Sequence, residues 1–237
     1  LAVPDLVVIV SNHLGVKAMP QADGYVIEGH VAGGHNAPPR SKVVSPEGEP
    51  VYGDKDETNF DLLNMLVAQN AAKRGGRPQP YWLAGGYSGR MQEAIADGAQ
   101  GVQVGTAFAF CRESGIEPAL KLDILDQILL GGKAETSAVA SPSGFPFKVF
   151  RSPNTVGDPA VYAARRRACN LGYLFDVCDA EGNTRCPAEH VASYVHKGGS
   201  AEEARGRICL CNGLLATIGL GAAGEKPLVT TGTDYSA

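Results

Sequence analysis

The chain is short of several features that would assign it to a class. No apolar run approaches the roughly 20 residues that a membrane-spanning helix needs. There is no surplus of positive charge: 21 Lys and Arg stand against 25 Asp and Glu, a formal net charge of −4. No basic field therefore argues for nucleic acid. No basic n-region opens the sequence, since Leu1-Ala2-Val3 is followed at once by Pro4-Asp5, so there is no signal-peptide pattern. No cysteine precedes Cys111, and six in 237 residues do not make a secreted disulfide scaffold. Internal repeats and low-complexity tracts are also lacking. Together these absences predict a cytoplasmic protein whose partners are neither nucleic acid nor membrane. An initiator Met is missing too, and Leu1 lies almost on a strand-like run. The expectation is that more chain lies upstream.

What is present is ordinary globular composition, 44% hydrophobic and 19% charged, in a chain long enough to bury a real core. Short apolar runs alternate with helical patterns. "DLVVIV" (5–10), "GYVIEG" (24–29), "YWLAGG" (81–86) and "GVQVG" (101–105) read as strands. "FDLLNMLVAQNAAKRGG" (60–76) has apolar residues at 60, 62, 63, 66 and 67, a helical spacing, and ends on basic residues and glycine. "RMQEAIADGA" (90–99) reads as a short helix, and "TAFAFCRES" and "PALKLDILDQILLGG" also look helical. Strand–helix alternation predicts βαβ units and a parallel sheet of about four strands. After about residue 135 the pattern changes. "SPSGFPFKVFRSPNTVGDP" (141–159) reads as an ordered loop, 160–174 as a basic-faced helix, about 201–218 as another helix, and the last residues as a surface tail. The expected organisation is an α/β domain over 1–134 and a helical, loop-rich, cysteine-containing extension over 135–237.

Glycines gather at the carboxyl ends of the expected strands, where parallel sheets bind ligands. In "AGGYSGR" (84–90) and "QVGTAF" (103–108), bare backbone precedes a helix start, a pattern suited to a phosphate. One βα unit earlier, "AGGH" sets Gly33 and Gly34 beside His35. Glycines there let a flat ring lie against the backbone. His35 beside it could take a proton or hold a substrate anion. His30, Glu28 and His13 are weaker contacts.

"EGHVAGGHNAPPR", "LAGGYSGR" and "GVQVGTAFAFCRESG" together resemble the nitronate monooxygenase (2-nitropropane dioxygenase) family of FMN-dependent (β/α)₈ barrels, whose relatives include flavin-dependent enoyl-acyl-carrier-protein reductases. "SPSGFPFKV" (141–149) is similar to a segment of some members. The resemblance implies the C-terminal half of such a barrel, with the N-terminal half supplied by the same longer chain or by a partner chain. It implies FMN, with Gly33 and Gly34 beside the flavin. Gly85 and Gly86 would hold its phosphate together with Gln103, Gly105 and Thr106, and His35 would be the catalytic base. The implied function is oxidation of a small carbon acid, an alkyl nitronate, by oxygen. NAD(P)H-dependent reduction of an enoyl thioester is the alternative, and an incomplete half-barrel module that is inactive alone is a third reading.

Cysteines 169, 178, 186, 209 and 211 cluster in the extension. Cys169, Cys186, Cys209 and Cys211 could form a four-thiolate set for zinc or an iron–sulfur cluster. Free cysteines are equally often small buried hydrophobes, and the spacing leaves both readings open.

Overall fold

The computed structural model describes residues 4, 6–17, 19–165, 171–174, 177–178 and 184–235. Helix α1 (Leu6–Val16) leads to strand β1 (Tyr25–Glu28), helix α2 (Phe60–Arg74), strand β2 (Tyr81–Ala84), helix α3 (Met91–Ala96) and strand β3 (Gly101–Gln103). The strands form a parallel sheet in the order β1-β2-β3, with Tyr25 opposite Tyr81 and Trp82 opposite Gly101. Helix α2 is the long crossover. Its start is capped by Asn59, whose side chain accepts from the Leu62 N–H at 2.9 Å. Its end is turned by Gly75 at φ 66°, a left-handed conformation that favours glycine. Tyr25, Ile27, Leu63, Val67, Tyr81, Leu83, Ala94 and Ala99 close into one core between sheet and helices.

Two expectations about this half need correction. The run 5–10 does not give the expected strand: Leu6–Val16 is helical, and among the described residues the parallel sheet has three strands rather than four. Its β-branched residues suit a strand, but the helix buries Val7 and Ser11, four apart on one face. The Ser11 hydroxyl lies 2.9 Å from the Tyr25 hydroxyl and accepts from Asn70 Nδ2 at 2.8 Å. This buried polar trio ties α1 to β1 and α2. Among the described residues the sheet does not close on itself.

The second half begins with helix α4 (Thr106–Ala109) and helix α5 (Pro118–Leu129). Strands β4 (Ala134–Ser137) and β5 (Phe147–Phe150) pair antiparallel. Helix α6 (Pro159–Ala164), the short pair β6 (Val177–Cys178) and β7 (Thr184–Arg185), helix α7 (Val191–His196) and helix α8 (Leu210–Ala216) follow. The expected loop 141–159 therefore contains β5, all four of whose residues are buried. Its polar member is satisfied inside: Lys148 Nζ donates to Thr136 Oγ1 at 2.6 Å. Burial lowers the Lys148 pKa to about 8. Phe147, Val149, Val156, Tyr162, Ile208, Leu210 and Leu228 form the core of this half. Of the expected helix 201–218, only Leu210–Ala216 is helical, and 201–206 is a series of turns. The basic-faced helix expected over 160–174 is helical to Ala164, and residues 166–170 lie outside the described residues. No helix among the described residues is long and apolar enough to cross a membrane.

Candidate functional site

The carboxyl ends of β1, β2 and β3 lie side by side, because the parallel register carries all three in one direction. Beyond β1 the chain turns through Gly34, at φ 79°, into His35. Beyond β2 it turns through Gly85 and Gly86, at φ 82° and 74°. Beyond β3 come Gly105 and Thr106, at the start of α4.

His35 is held from the second half of the chain. Its backbone bridges to Phe147, the Asn36 N–H donates to the Pro146 carbonyl at 2.8 Å, and the Lys148 N–H donates to the Gly34 carbonyl at 2.9 Å. These bonds seat the 141–147 loop against His35. His35 Nε2 lies 2.6 Å from Ser141 Oγ, and that hydroxyl lies 2.7 Å from Ser143 Oγ. Ser141 is fully buried, and its carbonyl accepts from Arg207 Nη1 at 2.5 Å. The imidazole meets the Phe147 ring edge-on at 4.8 Å. Desolvation lowers the His35 pKa below its ordinary value, which favours the neutral ring that can accept a proton. At the end of β1, burial raises the Glu28 pKa.

The three glycine turns differ in what they offer. A Cβ added to Gly34 or Gly105 would meet nothing within 4 Å, so their backbone is open. A Cβ on Gly85 would stand 2.9 Å from the Ala32 amide nitrogen, so Gly85 serves close contact between the β1 and β2 turns. Arg90 stays on its own turn: it pairs with Glu93 at 2.6 Å and donates to the Gly86 carbonyl at 3.1 Å. Helices α3 and α4 have six and four residues. The dipole expected to favour an anion at each turn is therefore limited to first-turn N–H groups. Gln103 is exposed.

The C-terminal residues correct another expectation. They are no surface tail: Leu228, Val229 and Thr231 are buried, and residues 230–234 run as a strap across the three strand ends. The Gly34 N–H donates to Thr230 Oγ1 at 2.7 Å, and the Gly232 N–H donates to Thr106 Oγ1 at 2.9 Å. Sequence reasoning missed these residues. The one local signal is a glycine inside "LVTTGTDY", which reads as a turn until its partner is known.

The family comparison fits this geometry. The profile described as nitronate monooxygenase matches residues 6–149, more than half of the chain. The chain belongs to the nitronate monooxygenase family. The matched span runs from α1 through β5 and includes all three strand ends, His35 and Ser141. No curated protein matches the chain at a significant level. Among solved structures, a mutant of FabK from Thermotoga maritima is similar at 26% identity and a TM-score of 0.37, over 69% of this chain. The chain spans 45% of that protein's length.

The residues of this nitronate monooxygenase family member fit a flavin at the open backbone of Gly34 and Gly105, beside an exposed His35. A cavity between Glu28, His30, Arg40 and Tyr52 has a volume of about 40 Å³, room for about one or two waters. His30 stacks on Tyr52 at its wall, 4.8 Å between ring centroids. Of the expected thiolate set, Cys169 lies outside the described residues. Cys186 and Cys209 pack with Ala188 in a small core, and Cys186 Sγ donates to the Leu174 carbonyl at 3.2 Å. Among the described residues no group of three or more His, Cys, Asp or Glu is placed to hold a metal ion.

Proposed function

We propose that this chain carries the base and the cofactor-facing strand ends of an FMN-dependent oxidoreductase that oxidises a small carbon acid of the alkyl nitronate type with oxygen. The observation that carries this reading is His35: fixed at one ring nitrogen by buried Ser141, its pKa lowered by burial, and next to the bare backbone of Gly34. In the tautomer whose Nε2–H donates to Ser141 Oγ, the lone pair of Nδ1 takes the proton from the substrate carbon or orients its anion. Gly34, Gly86, Gln103, Gly105 and Thr106 would hold the FMN, while Gly33 and Gly85 let the backbone around it pack closely. When bound, FMN would supply the redox chemistry between substrate and oxygen. Phe147, edge-on to the imidazole, keeps water off one side of the base.

The sheet β1-β2-β3 is, in this reading, part of a (β/α)₈ barrel. Its open edges among the described residues support a site completed by further strands, from more of the same polypeptide or from a partner chain.

The test is oxygen uptake with an alkyl nitronate by the FMN-loaded protein and its His35→Asn variant. The expected result is turnover in the parent and a loss of about a hundredfold or more in the variant. Equal turnover by both would remove His35 from the chemistry. NADPH-driven reduction of an enoyl thioester without nitronate turnover would replace this reading with that of a flavin reductase.

A further inference from the structure

The C-terminal strap touches each strand end that carries cofactor-facing residues. Thr230 takes the Gly34 N–H, Gly232 gives its N–H to Thr106 Oγ1, and the Thr233 N–H donates to the Val31 carbonyl at 2.9 Å. Two glycines make this approach possible. A Cβ on Gly33 would stand 2.7 Å from the carbonyl carbon of Thr231, and one on Gly232 would stand 3.0 Å from the Val31 carbonyl oxygen. Backbone lies on backbone, so the strap is built into the site.

Past Gly232, the Asp234 carboxylate reaches the β2 turn. Its Oδ2 lies 3.2 Å from where a Cβ of Gly86 would be. The surroundings are already acidic. Asp97, Glu57 and Glu93 all act on neighbouring Tyr87, and the cation there, Arg90, is engaged by Glu93 and also lies in the field of Asp234. A phosphate dianion at Gly86 would meet a carboxylate at contact range.

The strap has an aliphatic root and a polar body. Leu228 and Val229 are fixed: the Leu228 N–H donates to the Gly213 carbonyl, the Phe150 N–H donates to the Val229 carbonyl, and both side chains are buried. Beyond Val229 come Thr230-Thr231-Gly232-Thr233-Asp234, with no large aliphatic side chain to anchor them.

We propose that the strap Thr230–Asp234 is an intramolecular stopper, with the Asp234 carboxylate seated at the Gly86 turn, so that a phosphate-bearing ligand binds there only as the strap lifts. This rests on reading the turn as a phosphate site. The strap pivots after Val229, and lifting it frees the Gly34 N–H and the Thr106 hydroxyl together with the Gly86 turn. Loading thus couples all three strand ends.

The experiment compares the full chain with its Asp234→Asn variant by quenching of flavin fluorescence, using FMN and riboflavin, which differ by the phosphate. Asp234→Asn is expected to bind FMN about tenfold tighter or more, as removal of one like charge at this range implies, with riboflavin unchanged. FMN binding that is unchanged, or FMN and riboflavin weakened together, would overturn the proposal; the latter would make Asp234 a contact to the flavin side chain. Amide hydrogen exchange at Gly232 and Thr233 supplies a second readout. It should quicken on loading, and slower exchange would make the strap a closing wall instead. If neither protein binds flavin, the flavin reading fails, and inorganic phosphate still decides the strap. The Gly86 amide signal should respond at lower phosphate concentration in Asp234→Asn, and an equal response would sink the stopper.

Discussion

The two halves of the molecule handle the same strand ends in opposite ways. In residues 6–105, three parallel strands run out into glycines and expose backbone, because all strands of a parallel sheet present their carboxyl ends on one side. In residues 134–235, an antiparallel hairpin and the strap return to those ends and hydrogen-bond the exposed groups. The comparison teaches that a parallel sheet does not fill its own mouth. Whatever covers it comes from distant sequence or from a ligand, and here the chain's second half covers part of it.

The largest expected effect that separates the halves is on chemistry. His35→Asn removes the base supplied by the first half and should cut nitronate turnover by about 10²- to 10⁴-fold, while a denaturant midpoint stays close to that of the parent. Next comes the root of the strap. Leu228 is fully buried in the second core, so Leu228→Ala should cost about 2–5 kcal/mol by urea unfolding and also speed amide exchange at Thr233. A loss below about 1 kcal/mol would mean that the strap is not rooted in that core.

A smaller and sharper contrast lies between adjacent glycines. Gly33→Ala forces a methyl into the Thr231 backbone, an overpacking of about 1–3 kcal/mol, and should release the strap. Gly34→Ala meets no neighbour but sits at φ 79°, a strain of about 1–2 kcal/mol. Comparable stability losses with strap exchange raised only in Gly33→Ala would confirm that Gly33 serves the strap.

The pH dependence has a definite sign in each half. Burial lowers the His35 pKa, so the acid limb of kcat/KM should lie below the ordinary histidine value near 6.5. The unfolded chain takes up this proton first, so the His35 contribution to stability is intact above that value and declines as pH falls through the folded pKa. An acid limb above it would contradict the desolvated site. Lys148 gives the smallest effect, in the second half. Its folded pKa is lowered to about 8, so between there and its ordinary value near 10.4 the unfolded chain holds the extra proton and stability rises with pH. Lys148→Met should flatten that slope, read as the difference in melting temperature between the two proteins across the range.

Much of the first half was legible because its signals are local. The apolar spacing of 60–76 specified α2, and the glycine after it specified where the helix ends. The runs at 25, 81 and 101 are strands, as their continuous apolar residues suggest, although Trp82 and Gln103 are exposed. The glycines after them mark the strand ends. Run 5–10 misled because Val, Val, Ile and Val favour strands by propensity, while the packing of Val7 and Ser11 on α2 and Tyr25 decided for a helix. Strand β5 was hidden by Lys148, a charge that no strand core would predict until Thr136 is seen opposite it.

The sequence by itself determined the αβ alternation, the placement of glycines at three strand ends and the presence of His35 beside one of them, since each depends on neighbours within a few residues. Only the tertiary structure decided what faces those glycines. Gly33 and Gly34 suit a flat ring on local grounds, yet Gly33 lies against Thr231, and Gly34 is bonded to a residue 196 positions away. Glycine removes a side chain and thereby permits a close approach, but it carries no mark of what approaches. The long-range hydrogen bonds that the freed backbone must find make that choice.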